Sequence, residues 1–317
     1  MSSERQLPIA ITCGDPASVS LEIIVECLSK PLETGSPFAV IGPQSWLDAL
    51  RWHESNHVER IPVGNPDYLP KPGVPCDEGA RLAIEAMEIA AQGCVDGRFS
   101  AVATGPISKE NCKAVGYRYP GQTEFFAAKW GGEPSMGFAG EQLNVVLATW
   151  HIPVSEVPSA VTEESISLAV RRANLLGQLV GVDAPRIAVC GLNPHAGENG
   201  ILGTEERDSI DPLLDKLRKD FPGLSPCLPG DTVFARAMKG EFDVVVAMYH
   251  DQGLAPMKAV EFDSAVNVTL GLSFVRTSPD HGTAFSIAGK GLASASSFRR
   301  AIRLAANFSS RSVPTSR

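Results

Sequence analysis

The stretch Arg186–Gly200, RIAVCGLNPHAGENG, decides how this chain is read. Its first half, Arg186–Gly191, is an apolar run closed by glycine, as a strand buried in a parallel sheet would be. Its second half turns polar and delivers His195. The pattern recurs where Asn144–Trp150 leads into His151 (NVVLATWHIP) and where Phe242–Tyr249 leads into His250 (FDVVVAMYHDQG). Ligands of an open α/β sheet bind beyond the carboxyl ends of its strands, which is where these imidazoles fall. Any one of them alone reads more simply as a hydrogen-bonded histidine at a strand end. Three of the chain's six histidines in one setting point instead to a three-histidine metal centre with positions left open for substrate.

Outward from these stretches, strands and helices alternate, which predicts a mainly parallel sheet with helices on its faces. Pro8–Cys13 reads as a strand entering the turn Gly14-Asp15-Pro16, followed by a helix to about Leu28. Phe38–Ile41 is a strand, Ser45–Trp52 a short helix, and Pro62–Pro75, with five prolines, a loop leading into the helix Asp77–Gln92. Ala101–Thr104 is a strand, Thr123–Trp130 and Glu163–Leu179 are helices, and Arg186–Lys219 is a strand–loop–helix unit. After Tyr249 comes a polar, glycine-bearing region to Gly291, holding the strand Val266–Leu270, and a last helix begins near Ser296. The length of 317 residues suggests two domains, although one large α/β unit would also accommodate it.

With 44% hydrophobic and 20% charged residues the composition is that of an ordinary soluble globular protein. A net charge of −8 without a compensating Lys/Arg cluster argues against nucleic-acid binding. The basic stretch Arg299–Arg317 ends Ser-rich and reads as a frayed tail. MSSERQLPIA lacks the charged and apolar regions of a secretory signal, and no apolar run approaches the roughly 20 residues that span a bilayer. A cytoplasmic enzyme without a membrane partner is expected. The seven cysteines show no C-x-x-C spacing, as fits reduced thiols, and none is assigned a catalytic role.

His53-Glu54-Ser55-Asn56-His57 matches the H-E-x-x-H of zinc proteases. Its helix is short, Ser55 and Asn56 are weak helix formers, and the strand-like VERIPV follows at once, so a solvated helix end is the simpler reading. No G-x-G-x-x-G follows the first strand. Three loops have functional character. Thr104–Lys109 sets glycine, hydroxyls and a lysine between strand and helix, and Gly121–Glu124 opens a helix whose amides and Thr123 hydroxyl suit a phosphate. Both also read as plain caps. Arg276–Phe285 concentrates a guanidinium, hydroxyls, a carboxylate and an imidazole behind an apolar strand, which suits a pocket wall that Lys258 and Asn267 could also face.

GDPAS, ATGPISK, YPGQTEFFA, GLNPHAGENGILGTEE, MYHDQGLAPMK and NVTLGLSFVRTSPDHGTAFSIAGKG together resemble the 4-hydroxythreonine-4-phosphate dehydrogenase (PdxA) family, from about residue 8 to 305. The resemblance implies a two-domain α/β/α sandwich like isocitrate and isopropylmalate dehydrogenases, which bind NAD without the usual glycine fingerprint. The expected domains are 1–125 with 270–317, which includes the dinucleotide loop, and 126–269, which carries the metal ligands and dimer contacts. A homodimer with a shared active site is implied, as are a divalent metal (Zn2+, Mg2+ or Co2+) on His151, His195 and His250 and the coenzyme NAD or NADP. Substrate contacts carry over to Thr123, Lys258, Asn267 and Arg276, with Gln122 in place of a family histidine. Pro279–Gly291 looks like the dinucleotide loop, with His281, Gly282, Thr283, Ala288 and Gly289 as its contacts.

The family's usual GDPAGIGPE reads GDPASVSLE here, so Ser18 and Ser20 replace glycines and Leu21 a proline; the first turn must then use ordinary backbone angles. GHTE becomes GQTE at Gln122, and FDIAGKG becomes FSIAGKG at Ser286. The implied reaction is oxidation and decarboxylation of 4-hydroxy-L-threonine 4-phosphate to 3-amino-2-oxopropyl phosphate, in pyridoxal 5′-phosphate synthesis. Asp231 and Asp251 are candidates for the base or for support of a ligand, against plain readings as a helix cap and a loop hydrogen bond. Gln122 keeps open the same chemistry on a four-carbon acid-sugar phosphate such as threonate or erythronate 4-phosphate. The altered turn and Ser286 keep open a phosphometabolite-binding protein without turnover.

Overall fold

The computed structural model describes residues 6–311; the serine-rich tail end and the first five residues lie outside that range. The chain divides into two compact units, one of Met1–Pro134 with Leu272–Arg317 and one of Ser135–Gly271. In chain order the elements begin with β1 (Ile9–Thr12), α1 (Ser20–Leu28), β2 (Phe38–Pro43), α2 (Gln44–Ala49), β3 (Val58–Val63), α3 (Asp77–Val95), β4 (Ala101–Thr104), α4 (Lys109–Ala114) and α5 (Gln122–Trp130). There follow β5 (Gly132–Ala139), β6 (Asn144–Leu147), α6 (Val157–Ala160), α7 (Glu163–Leu179), β7 (Ile187–Cys190), α8 (Asp211–Leu217), β8 (Leu224–Leu228), α9 (Gly230–Met238), β9 (Val244–Ala247), α10 (His250–Glu261) and β10 (Val266–Leu272). The chain then returns to the first unit with β11 (Val275–Pro279) and α11 (Ser296–Ser310).

The first unit holds parallel strands in the order β3-β2-β1-β4-β11. β1 and β4 are buried along their whole length, which is why they read as unbroken apolar runs. The chain steps from β1 outward to β2 and β3, then returns to the other side of β1 with β4. The carboxyl ends of β1 and β4 therefore flank a topological switch point, where such sheets open a ligand crevice. Here the two loops that leave those strand ends touch. Asp15 N–H donates to the Pro106 carbonyl at 2.9 Å. Gly14, at φ +63°, lies so close that an added Cβ would stand 2.4 Å from the Pro106 oxygen.

The second unit has the order β10-β5-β6-β9-β7-β8, with β6, β9, β7 and β8 parallel and β5 antiparallel to β6. Leu147 pairs with Ala247 and Val189 with Val246, so the ends of β6, β9 and β7 lie level and side by side. Phe138, Val145, Leu147, Val245, Leu254 and Met257 are among the side chains that pack the core of this unit. α7 is the helix expected over Glu163–Leu179, and its start is set by a capping box. Thr162 Oγ1 accepts from Ser165 N–H at 3.2 Å, and Ser165 Oγ accepts from Thr162 N–H at 2.9 Å.

Two expectations need correction. The region after Tyr249, read only as polar and glycine-bearing, opens with the twelve-residue helix α10 despite Gly253 and Pro256. The short helix placed at Ser45–Trp52 ends at Ala49, so the H-E-x-x-H match is a turn and not a helix end. Asn56 is its structural centre, almost fully buried. It accepts from Leu32 N–H at 3.1 Å and donates to the carbonyls of Leu28 and Lys30 at 2.9 and 2.8 Å. His53 Nδ1 engages Ser55, and His57 leads into β3, so the two imidazoles share no helix face.

Candidate functional site

In the second unit the three histidines follow three neighbouring strand ends: His151 after β6, His250 after β9 and His195 after β7. His151 and His195 take φ of +53° and +52°, a region ordinary residues avoid and functional loops often use. The rings of His151 and His250 lie 5.8 Å apart between centroids, and both line a cavity of about 190 Å³ with Thr149, Trp150, Tyr249 and Asp251. His250 Nδ1 donates to Asp251 Oδ1 at 2.7 Å, and His195 Nδ1 donates to Glu198 Oε2 at 2.7 Å. A carboxylate on Nδ1 leaves Nε2 with the lone pair, the arrangement in which histidine binds metals. The donor set therefore suits a divalent cation in kind. Among the described residues, however, no three ligating side chains converge on one point.

The strand ends are also tied together. Gln252 accepts from Met248 N–H at 2.7 Å and donates to the Gly191 carbonyl at 2.8 Å, joining the exits of β9 and β7. Asp251 is exposed beside His250, whereas Asp231 is exposed in the first turn of α9, where a carboxylate suits the helix dipole. Lys258 lies in the last turn of α10. Asn267, in β10, keeps its Oδ1 buried and without a hydrogen-bond partner.

In the first unit β11 presents Arg276, 4% exposed, to the end of β4. Its Nε and one terminal nitrogen donate to Thr104 Oγ1 at 3.1 and 2.8 Å, and the same terminal nitrogen donates to Gln122 Oε1 at 2.9 Å. Burial pushes the Arg276 pKa down to about 10, against the raising influence of Tyr117 and Glu124, so the group stays cationic at neutral pH. Gln122 also donates to the Gly105 carbonyl at 3.0 Å, so its amide is engaged at both ends. Thr123, 8% exposed, sits in the first turn of α5, whose amino end presents backbone N–H groups. A buried guanidinium beside a helix amino end is chemically an anion site. In the neighbouring Thr104–Lys109 loop, Ser108 is the plain cap of α4, accepting from Asn111 N–H at 3.2 Å.

The Pro279–Gly291 loop is held by the first turn. Val19 N–H donates to the Thr283 carbonyl at 3.1 Å, and Gly291 N–H donates to Glu22 Oε2 at 3.0 Å. Ser18 and Ser20 keep ordinary backbone angles and pair through their hydroxyls at 2.8 Å. His281 Nδ1 donates to the Gly282 carbonyl at 3.0 Å, leaving Nε2 as a buried acceptor without a partner. Gly282 and Gly289 are exposed and Ala288 is buried against the protein. An unanswered acceptor in a glycine-bearing loop fits a bound coenzyme. All seven cysteines are free; burial pushes Cys27, Cys94 and Cys190 up to about 12 and Cys112 to about 11, so these are inert core thiols.

Residues 22–305 match the model of the family described as pyridoxal phosphate biosynthetic protein PdxA. The chain belongs to that family. It is 41% identical to the 4-hydroxythreonine-4-phosphate dehydrogenase of Erythrobacter litoralis (strain HTCC2594), over 92% of this chain and 93% of the relative. The crystal structure of 4-hydroxythreonine-4-phosphate dehydrogenase from Klebsiella pneumoniae superposes with a TM-score of 0.82 at 33% identity, covering 96% of this chain and all of that one (100%). A terephthalate 1,2-cis-dihydrodiol dehydrogenase from Burkholderia xenovorans LB400 gives 0.68 at 26% identity, covering 96% and 98%. Membership of the family agrees with the mixed α/β, mostly parallel architecture and with the resemblance read from the motifs. Gln252, and Asn193 with Glu206, whose Oε1 accepts from Asn193 N–H at 2.7 Å, are anchors beside the histidine-bearing strand ends that sequence reading missed. They are polar residues in polar stretches, where no periodicity distinguishes a buried anchor from a solvated side chain.

Proposed function

We propose that the protein is an NAD(P)-linked dehydrogenase that oxidises and decarboxylates 4-hydroxy-L-threonine 4-phosphate to 3-amino-2-oxopropyl phosphate, a cytoplasmic step of pyridoxal 5′-phosphate biosynthesis. The observation that carries this reading is the near-full-length match to a family whose relatives bear that enzyme's name. Arg276, with the amide groups at Gln122 and Thr123, receives the phosphate. Lys258 and the unpaired Asn267 Oδ1 orient the rest of the substrate. His151, His195 and His250 hold the divalent metal, Zn2+, Mg2+ or Co2+. Asp251 fixes the His250 tautomer, and Asp231 is the candidate proton acceptor. When bound, the metal supplies Lewis-acid stabilisation of negative charge developing on oxygen, and the nicotinamide accepts the hydride. His281, Gly282, Thr283, Ala288 and Gly289 receive NAD or NADP. The working form is a homodimer with a shared site, a reading supported by the exposed apolar side chains Val154, Ile201 and Leu202 that follow His151 and His195.

Gln122 favours a second reading, the same chemistry on threonate or erythronate 4-phosphate, because an amide held by Arg276 and Gly105 stands where relatives are expected to carry an imidazole. Turnover of both substrate types with NAD and with NADP, followed by reduced nicotinamide, decides between them. Reduction with 4-hydroxy-L-threonine 4-phosphate is the expected result. Reduction only with the acid-sugar phosphate transfers the assignment to the second reading, and none with either marks a binding protein. His195→Ala should abolish turnover, and His53→Ala should leave it intact.

A further inference from the structure

The loop carrying His195 follows a backbone course that ordinary residues avoid. From His195 through Asn199 every φ is positive, at 52°, 52°, 80°, 44° and 55°, although only Gly197 is a glycine. This is one turn of left-handed helix, and such a turn persists only where its surroundings hold it. The holding group is Glu206, a carboxylate 2% exposed at the start of the π-helical turn Glu206–Ile210. Its Oε1 accepts from Asn193 N–H at 2.7 Å and its Oε2 from Asn193 Nδ2 at 3.0 Å. Asn193 Nδ2 also donates to Glu205 Oε2 at 2.7 Å, and the Asn193 carbonyl accepts from Ala196 N–H at 3.1 Å. The turn closes tightly on this carboxylate. A Cβ at Gly197 would stand 2.7 Å from Glu206 Oε2 and 2.8 Å from the Gly203 carbonyl, so no other residue fits that position.

We propose that Glu206 is a positioning residue for the reaction, acting through His195. Its carboxylate fixes Asn193, Asn193 starts the left-handed turn, and the turn sets where the His195 ring stands beyond β7. Glu198, inside the same turn, can then hold Nδ1 and leave Nε2 to ligate. The carboxylate thus acts on the metal through the backbone and not by touching it, and the inference rests on His195 being a metal ligand.

The test compares Glu206→Gln with Glu206→Asp and Asn193→Ala in the full-length protein. Co2+ affinity is titrated without substrate or coenzyme, alongside amide exchange over residues 193–203, melting temperature, NAD affinity and turnover. Glu206→Gln turns one acceptor into a donor facing the Asn193 N–H groups. It should weaken Co2+ binding about 10–100-fold, as lost support of a ligand does. It should also speed exchange in the turn and lower kcat, leaving NAD affinity unchanged. Glu206→Asp should recover part of the Co2+ affinity, and Asn193→Ala should lose affinity in the same direction and cover the case in which Glu206→Gln does not fold. Unchanged Co2+ affinity in the variants that fold, with faster exchange in the turn, would leave Glu206 a purely structural residue and overturn the proposal. His195→Ala is measured in parallel. If it too binds Co2+ normally, the metal reading itself has failed; if it does not, only the role of Glu206 has.

Discussion

Arg276 and Asp15 are both ionisable groups with almost no access to solvent, and burial acts on them in opposite senses. Arg276 keeps its charge because two hydroxyl contacts and the Gln122 carbonyl answer its N–H groups. Arg276→Met should raise KM for the phosphorylated substrate about tenfold to a hundredfold, the effect of losing a charge-assisted contact of roughly 1.5–3 kcal/mol. NAD affinity should change less; equal losses for both ligands would make Arg276 a brace for the coenzyme loop. Asp15 is 1% exposed, and its Oδ2 has no partner. Burial raises its pKa, and the Ala17 N–H on Oδ1 at 3.0 Å, with Asn111 nearby, only partly offsets this. With the folded pKa above the unfolded value, the ionised carboxylate weakens the fold at neutral pH, and the penalty fades as pH falls through the folded pKa. Asp15→Asn should therefore raise the melting temperature at neutral pH, with the gain disappearing near about pH 4. Thermal denaturation across pH checks this; a gain that grows towards acid pH would show that the carboxylate has a stabilising partner.

At the scale of elements, α10 does two jobs from opposite ends. Its first residue is His250. Its last, Glu261, is a buried carboxylate accepting from the N–H groups of Glu141, Gln142 (2.7 Å) and Leu143 (2.8 Å) in the turn between β5 and β6. Glu261→Gln should cost about 1–3 kcal/mol, because an amide nitrogen would face backbone donors. Denaturant unfolding and faster amide exchange over residues 141–143 would register it; unchanged stability would mean that the hairpin holds itself. Sequence reading missed this helix because Gly253 and Pro256 are ordinarily breakers. Packing explains Gly253: a Cβ there would stand 2.9 Å from both Leu147 and Val145, so glycine lets the helix lie close on β6. By contrast α7 was legible to the residue, since its capping box and its apolar stripe are both local.

At the scale of the whole molecule the first test is assembly. Sedimentation should find twice the chain mass of 33.7 kDa. Ile201→Asp, at a side chain 79% exposed beside the His195 turn, should shift the protein to single chains and lower turnover. A dimer that survives this change would place the interface elsewhere. What the sequence determined by itself is whatever depends on neighbours along the chain. Strand runs, the alternation of strand and helix, the three strand-end histidines and the motifs of the family are all of this kind, because hydrophobic period and residue type are local signals. Only the tertiary structure decided which strands lie side by side, and so that β6, β9 and β7 bring the histidines to one edge. It alone set Gly14 against Pro106, and it alone gave Glu206, Asn56 and Gln252 their partners. A polar side chain's role depends on groups far away in sequence, and burial, which settles whether that side chain is an anchor or merely solvated, exists only once the chain has folded.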